Sequence, residues 1–122
     1  HELYCDNFIK FKSPQTINFA AGKKHITFIN GDGRAGKTTI FRAIRWALYG
    51  NTGDEYTYKS KRDLINNINV EEGNFNMKVA LKIEKDKSIY EVERSLKLEK
   101  GKEFKQDQDL KDELFVTKEI SI

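Results

Sequence analysis

The chain has 122 residues, a length that fits one small domain, so we do not expect several domains within these residues. Hydrophobic residues make up 38% and charged residues 34%, which supports one core and argues against a disordered tail. The net charge of +3 allows contact with nucleic acid without requiring it. No apolar run approaches the roughly 20 residues that span a bilayer, and no signal-peptide pattern opens the chain. We therefore expect a cytoplasmic protein with no membrane partner.

The first residue and the single cysteine of the chain give two further expectations. The chain begins at His1 rather than at a methionine, so we expect residues 1–122 to be one lobe from a longer protein. Cys5 is the only cysteine, which excludes an internal disulfide. We predict that this thiol is buried on a strand and is not reactive.

The first third of the chain predicts three strands. Residues 2–8 form the first, and residues 15–19 are its hairpin partner because Ile17 and Phe19 share one face. Pro14 excludes a helix between them. Residues 25–30 are rich in β-branched and aromatic side chains, which predicts a buried strand that leads directly into a glycine-rich loop.

Residues 38–49 give the strongest helix signal. Gly50 follows as a C-terminal cap, and Arg42 and Arg45 lie off the apolar stripe. That stripe consists of Ile40, Ile44, Ala47 and Leu48.

The second half of the chain is predicted to be antiparallel. Residues 51–76 are polar, with at most one helical turn at residues 63–68. From Met77 the apolar period is two, which predicts a hairpin with one exposed face and a turn at Asp86 and Lys87. Only Arg94 interrupts the alternation in its second strand. Residues 99–113 are predicted to form a charged loop, and a third strand follows, marked by Leu114, Val116, Ile120 and Ile122.

Residues 31–38 match the pattern G-x-x-x-x-G-K-[ST] at all four fixed positions. A predicted strand precedes this segment and a predicted amphipathic helix follows it, which is the setting of a phosphate-binding P-loop. A glycine turn that merely caps a helix is the alternative, but it does not require the Gly-Lys-Thr triplet. The predicted nucleotide-binding residues are Gly31, Asp32, Gly33, Arg34, Ala35, Gly36, Lys37, Thr38 and Thr39.

The residue types explain this chemistry. Glycines let successive backbone amides point at phosphate oxygens, and a helix that starts near Lys37 adds unpaired N–H groups and a positive dipole end. We predict that Lys37 reaches the β- and γ-phosphates and is the catalytic residue. The hydroxyl of Thr38 is the predicted Mg²⁺ ligand, so ATP and Mg²⁺ are the expected cofactors.

Other parts of a hydrolytic site are missing from the sequence pattern. The best candidate for an apolar strand ending in a magnesium-holding aspartate is residues 79–84, which alternate with lysines and predict a half-exposed antiparallel strand. Three hypotheses follow: an ATPase whose site is completed elsewhere, a self-contained P-loop kinase or GTPase, and a non-hydrolysing nucleotide-binding fragment. The kinase or GTPase requires a second parallel strand ending in aspartate and further βα units.

The layout resembles the N-terminal lobe of SMC-like, ABC-type ATPase heads among the AAA-type P-loop NTPases. That group includes chromosome-maintenance, DNA-repair and DndD-like bacterial defence ATPases. The similarity covers residues 1–98 and is most specific in the first 50. It is carried by Asn7-Phe8, residues 17–19 and 26–29, the P-loop, and residues 39–44 running into Leu48-Tyr49-Gly50.

The resemblance implies an α/β fold with a mixed or antiparallel sheet packed on the helix that follows the Walker A loop. It also implies a composite site, in which a C-terminal lobe and the second head of a homodimer supply the magnesium-holding aspartate, the catalytic glutamate and the signature motif. ATP hydrolysis would then be coupled to head dimerisation and to DNA repair or antiviral defence, with double-stranded DNA and a nuclease or other effector subunit as partners, near the nucleoid. This lobe alone would be inactive.

Several further residues have two readings. Family members usually carry asparagine and a small residue where this chain has Gly33 and Arg34, so Arg34 either adds charge beside the phosphates or is a solvated loop residue. For Lys10 and Lys12 we expect a solvated turn and not contact with nucleotide or DNA. Trp46 and Tyr49 favour packing over base stacking. A phosphate-contacting surface or scattered surface charge are equally good readings for Arg42, Arg45, Lys59, Lys61 and Arg62.

Overall fold

The computed structural model describes residues 2–19, 26–27, 33–53 and 58–120, with the backbone alone for residues 19, 26–27, 33–37 and 119–120. Two α-helices and six strands make up its regular structure. No helix within these ranges is both long enough and apolar enough to cross a membrane. In chain order the elements are β1 (Glu2–Asp6), β2 (Gln15–Phe19), β3 (Ile26–Thr27), α1 (Gly33–Tyr49), α2 (Asn67–Glu71), β4 (Met77–Lys85), β5 (Ser88–Leu98) and β6 (Leu110–Ile120).

The strands form one sheet in the order β3-β2-β1-β4-β5-β6, and every described pairing is antiparallel. The predicted hairpin of β1 and β2 is confirmed, with Leu3 opposite Ile17. β1 also pairs with β4, which places Cys5 opposite Val79 and brings the two halves of the chain together. The sheet is therefore of the antiparallel kind that the sequence allowed.

Strands β4 and β5 form the predicted hairpin. Their two-residue turn is Asp86 and Lys87, whose φ angles are 52° and 63°. Two successive positive φ angles are the mark of a type I′ turn, which matches the right-handed twist of the flanking strands. The predicted alternation is also confirmed, because Met77 and Val79 are buried while Lys78 and Lys82 are exposed.

The last strand begins earlier than the sequence indicates. Residues 99–113 were expected to be a loop, but β6 starts at Leu110, which is fully buried opposite Leu98. A 3₁₀ turn, Asp107–Asp109, leads into it, and the Asp109 carboxylate accepts backbone N–H bonds from Lys105 and Gln106 at 2.9 Å each. These two bonds lower the pKa of Asp109. The prediction of a loop was wrong because residues 111–113 are all charged, which is untypical of a strand. The buried residue that begins this strand, Leu110, pairs with Leu98.

Helix α1 packs on β4 and β5 and ends at Tyr49 as predicted, but its start and its buried face differ from the prediction. It begins at Gly33, four residues before the predicted start near Lys37. Its buried face centres on Ala43, so Leu48 is 39% exposed and does not belong to the buried stripe. The bulk of Trp46 explains this rotation, because that side chain is 2% exposed and its ring centroid lies 5.9 Å from that of Phe8.

Buried asparagines join the segment after β1 to the segment before β4. β1 ends at Asp6, two residues before its predicted end at Phe8, and the next residue, Asn7, has a φ of 59°. Its amide donates to the carbonyls of Asn74 and Asn76 at 3.2 and 2.8 Å, and its oxygen accepts from Asn69 at 2.7 Å. Asn66 caps α2 by accepting from two backbone N–H groups and also donates to the Ile9 carbonyl at 2.8 Å. These contacts replace secondary-structure bonds over a stretch that is otherwise irregular.

The predicted helical turn near residues 63–68 is resolved into two short helices. A 3₁₀ turn, Arg62–Leu64, precedes α2, and Ile65 and Asn66 separate the two. Leu64 and Ile65 are buried. The polar segment before β4 is therefore tied to the same core as α1.

Candidate nucleotide-binding site

The P-loop residues that the structure describes form the first turns of α1. The helix begins at Gly33, and its first turn contains no acidic residue. The first four backbone N–H groups of a helix, counted from its N-cap, have no partner within it, so in α1 they include those of residues 33–35. Together with the positive end of the helix dipole, they make a local environment that favours an anion.

The two threonines of the motif lie in different environments. Thr38 is exposed, so its hydroxyl is accessible to a metal ion bound beside the helix terminus. Thr39 is fully buried at 0% exposure. A Mg²⁺ ligand at Thr38 therefore fits the structure, whereas nucleotide contact by Thr39 stays a prediction.

Several predicted site residues are not tested by the structure. Gly31 and Asp32 lie outside the described residues, as do the side chains of Arg34, Ala35 and Lys37. The contact between Lys37 and phosphate, and the two readings of Arg34, stay predictions. The backbone from Gly33 onward is helical, so the predicted loop conformation is wrong for residues 33–36.

Four of the basic residues after the P-loop contact other parts of the chain. Arg42 lies 4.8 Å from the centroid of the Tyr58 ring and donates to its hydroxyl at 3.2 Å. The ammonium of Lys61 donates to the Leu110 carbonyl at 3.0 Å. Arg45 and Arg62 donate to asparagine side chains at 3.1 and 3.0 Å. These contacts favour structural roles over one phosphate-contacting surface.

The two aromatic residues at the end of α1 differ in burial. Trp46 packs in the core as predicted. The same prediction is wrong for Tyr49, which is 67% exposed. The Arg45 guanidinium lies 5.6 Å from its ring centroid, on the solvent side of the helix.

Arg94 fixes the end of α1 on the sheet, a role that the sequence did not reveal. Its side chain is 13% exposed, pairs with Asp112 at 3.3 Å and lies 5.7 Å from the Trp46 ring centroid. A β-carbon at Gly50 would lie 3.3 Å from this guanidinium, so the chain leaves the helix in close contact with it. The sequence indicated this role only by placing an arginine at a position of β5 where the alternation predicts an apolar residue.

The basic turn after β1 is solvated, as expected. Lys10 and Lys12 are exposed, and Lys12 lies 3.7 Å from Glu72. Cys5 is fully buried on β1, and burial raises its pKa to about 12. That thiol is therefore protonated and inaccessible, as the sequence predicted.

A groove of about 390 Å³ lies on the sheet face opposite α1. Its charges are already paired, because Lys78 contacts Glu93 at 2.8 Å and Lys97 contacts Glu113 at 3.0 Å. The hydrogen bond from Lys78 to Glu93 raises the pKa of Lys78. Across residues 2–19, 26–27, 33–53 and 58–120, no group of three or more His, Cys, Asp or Glu side chains could hold a metal ion. The start of α1 is thus the best candidate for nucleotide binding.

A family model described as the AAA domain matches residues 2–121, nearly the entire chain. A search of the curated proteins finds no match.

Proposed function

The chain belongs to the AAA domain family, and from this membership we propose that it is the N-terminal, ATP-binding lobe of an SMC-like ATPase head. Membership indicates nucleotide binding and ATPase activity, with ATP and usually Mg²⁺ as ligands. The observation that carries the finer proposal is the P-loop sequence of residues 31–38, of which residues 33–38 form the start of α1.

Each part of the motif has a separate task in this proposal. The unpaired N–H groups at the start of α1 orient the phosphates, and Lys37 neutralises the charge on the β- and γ-phosphates. The exposed hydroxyl of Thr38 is a ligand of Mg²⁺, which supplies positive charge to the phosphate oxygens when bound. The buried face of α1, centred on Ala43, keeps this terminus in place on the sheet.

We further propose that hydrolysis requires residues from a C-terminal lobe and from a second head. Support comes from β4, the strand that sequence reasoning considered for a magnesium-holding aspartate. It pairs antiparallel with both β1 and β5 and exposes Lys78 and Lys82, so it does not match a buried parallel strand. A self-contained kinase or GTPase would need such a strand, and every described pairing here is antiparallel.

The proposed biological role follows from the resemblance to SMC-like ATPase heads. ATP binding would bring two heads together, hydrolysis would release them, and the cycle would control double-stranded DNA or an associated nuclease. The role would be DNA repair or antiviral defence.

The Mg²⁺ dependence of ATP binding tests the assignment of Thr38. We expect affinity for a fluorescent ATP analogue to be on the order of tenfold higher in Mg²⁺ than in EDTA, about 1.4 kcal/mol, and this gain to vanish in Thr38→Ala. Thr117→Ala, which alters an exposed threonine of β6, should keep the gain. A gain that survives in Thr38→Ala would exclude the predicted metal ligand.

Turnover assays on the same samples test the composite site. We expect residues 1–122 alone to bind ATP without steady turnover, because the water-orienting groups lie elsewhere. Steady hydrolysis by this chain alone would contradict the composite-site proposal while leaving nucleotide binding intact.

A further inference from the structure

Strand β6 forms one edge of the sheet. It pairs with β5 along its entire length, from Leu98 opposite Leu110 to Ser88 opposite Ile120. Among the strands that the structure describes, β5 is its only neighbour, so the outer backbone groups of β6 are available to another strand.

The middle of this edge is apolar and exposed on both faces. Leu114 and Val116 are 49% and 60% exposed on the face that α1 covers elsewhere. Phe115 is 56% exposed on the opposite face. Edge strands commonly carry charged residues or proline at such positions, which prevent pairing with other chains. A run of three large apolar residues instead favours pairing.

The sequence of β6 is complementary to itself when it is read antiparallel about Phe115. Leu114 then lies opposite Val116 of a second copy, and Asp112 lies opposite Lys118. Lys111 in turn lies opposite Glu119. Directly opposed pairs share one face of a sheet, so these are the pairs that interact.

Neighbouring registers lack this complementarity. A one-residue slip would turn every side chain to the wrong face of the joint sheet. A two-residue slip in one direction places Glu113 opposite Glu119, and in the other direction it places Asp112 opposite Val116. Charge and apolar pattern therefore agree on a single register.

From this register we propose that β6 pairs antiparallel with β6 of a second copy of this chain, about a two-fold axis at Phe115. The two six-stranded sheets would become one sheet of twelve strands. The contact is isologous. Among the strands that the structure describes, the other edge is β3, with two described residues, so β6 is the described edge that carries this pattern. The contact closes as a dimer and does not propagate into fibres.

Contacts within each copy are compatible with this dimer. Asp112 accepts from Arg94, and a carboxylate has further acceptor sites for Lys118 of the second copy. The Lys118 ammonium lies 5.5 Å from the Tyr90 ring centroid, and Lys111 lies 3.7 Å from Glu99. Both are exposed contacts that yield readily to a cross-strand pair.

Disulfide crosslinking tests the register directly. In nucleotide-free protein with EDTA, we expect Phe115→Cys to form a disulfide-linked dimer on oxidation, because Cα atoms of opposed residues lie about 4.5–5.5 Å apart. The matched control is Thr117→Cys, whose two thiols would be four positions apart along the strands, about 13 Å, and should stay reduced. Cys5, buried and with its pKa raised to about 12, should give no background. Equal crosslinking by both variants, or by neither, would overturn the proposal.

Sedimentation equilibrium with a charge exchange gives a second test that retains Phe115. Lys111→Glu places carboxylates opposite Glu119 at both ends of the interface and should raise the dimer dissociation constant at least about fivefold. Lys111→Glu combined with Glu119→Lys should restore it. Ile68→Lys, which alters an exposed residue of α2, should leave it unchanged.

Sedimentation equilibrium can also give results that contradict the β6 dimer. A protein that stays monomeric up to about 1 mM, where even weak association is populated, would exclude the dimer and leave the edge to some other partner. A double variant as weak as Lys111→Glu would exclude this register. Because the samples contain no nucleotide, neither result bears on ATP-driven head dimerisation.

Discussion

At the scale of single residues, the buried side-chain amide of Asn7 makes hydrogen bonds to backbone groups that a neighbouring strand would otherwise make. Asn7 is 1% exposed and satisfies two backbone carbonyls and the Asn69 amide. The sequence pattern places Asn7 in the first strand and does not reveal this network, because the partners of a polar side chain cannot be read from spacing. By contrast, the P-loop residues are recognisable from spacing alone, since four fixed residue types define them.

Truncation of this amide should destabilise the protein strongly. Asn7→Ala leaves buried donors and acceptors unpaired, so we expect the free energy of unfolding to fall by about 2–4 kcal/mol, measured by urea denaturation. Asn67→Ala removes an exposed amide from the neighbouring helix and should change it by less than about 0.5 kcal/mol. Equal effects of the two substitutions would mean that the asparagine network does not stabilise the fold.

At the scale of elements, apolar period predicted which segments form strands but not where each begins. The β4–β5 hairpin was predicted with its turn because the apolar alternation and the Asp86-Lys87 pair agree. The start of β6 was missed because a single buried residue, Leu110, precedes three charged ones. The early start of α1 was missed because glycines at 33 and 36 have low helix propensity.

The hairpin turn offers a stabilising substitution. Lys87 has a φ of 63°, a conformation that costs a residue with a β-carbon about 1 kcal/mol and costs glycine little. We expect Lys87→Gly to raise the free energy of unfolding by about 0.5–1 kcal/mol in urea denaturation. The control Lys85→Gly, within β4, should lower it. A loss of stability in Lys87→Gly would contradict the type I′ assignment.

At the scale of the whole molecule, the α/β class could be predicted but the strand order could not. The pairing of β1 with β4 joins Cys5 to Val79, and neither segment carries a signal for the other. Arg94 joins Trp46 and Asp112 across three elements for the same reason. The family match over residues 2–121 confirms the AAA-type expectation, while the SMC-like head and its DNA partners stay proposals.

Two kinds of dimer follow from these proposals, and they use different parts of the chain. The ATP-dependent contact would join two P-loop sites, whereas the β6 contact would form without nucleotide. A protein with both could link heads through the sheet edge while ATP opens and closes the other interface. Their separation means that substitutions at Phe115 should leave ATP affinity unchanged.

Calorimetric titration of ATP with Mg²⁺ tests the central claim, that residues 31–38 bind the phosphates. We expect the unaltered protein to bind ATP saturably. The affinity of Lys37→Ala for ATP should be at least on the order of tenfold lower, because a charge-assisted contact to phosphate is lost. Lys100→Ala, which removes an exposed lysine between β5 and β6, should bind like the unaltered protein. Equal binding by the unaltered protein and Lys37→Ala would contradict the claim.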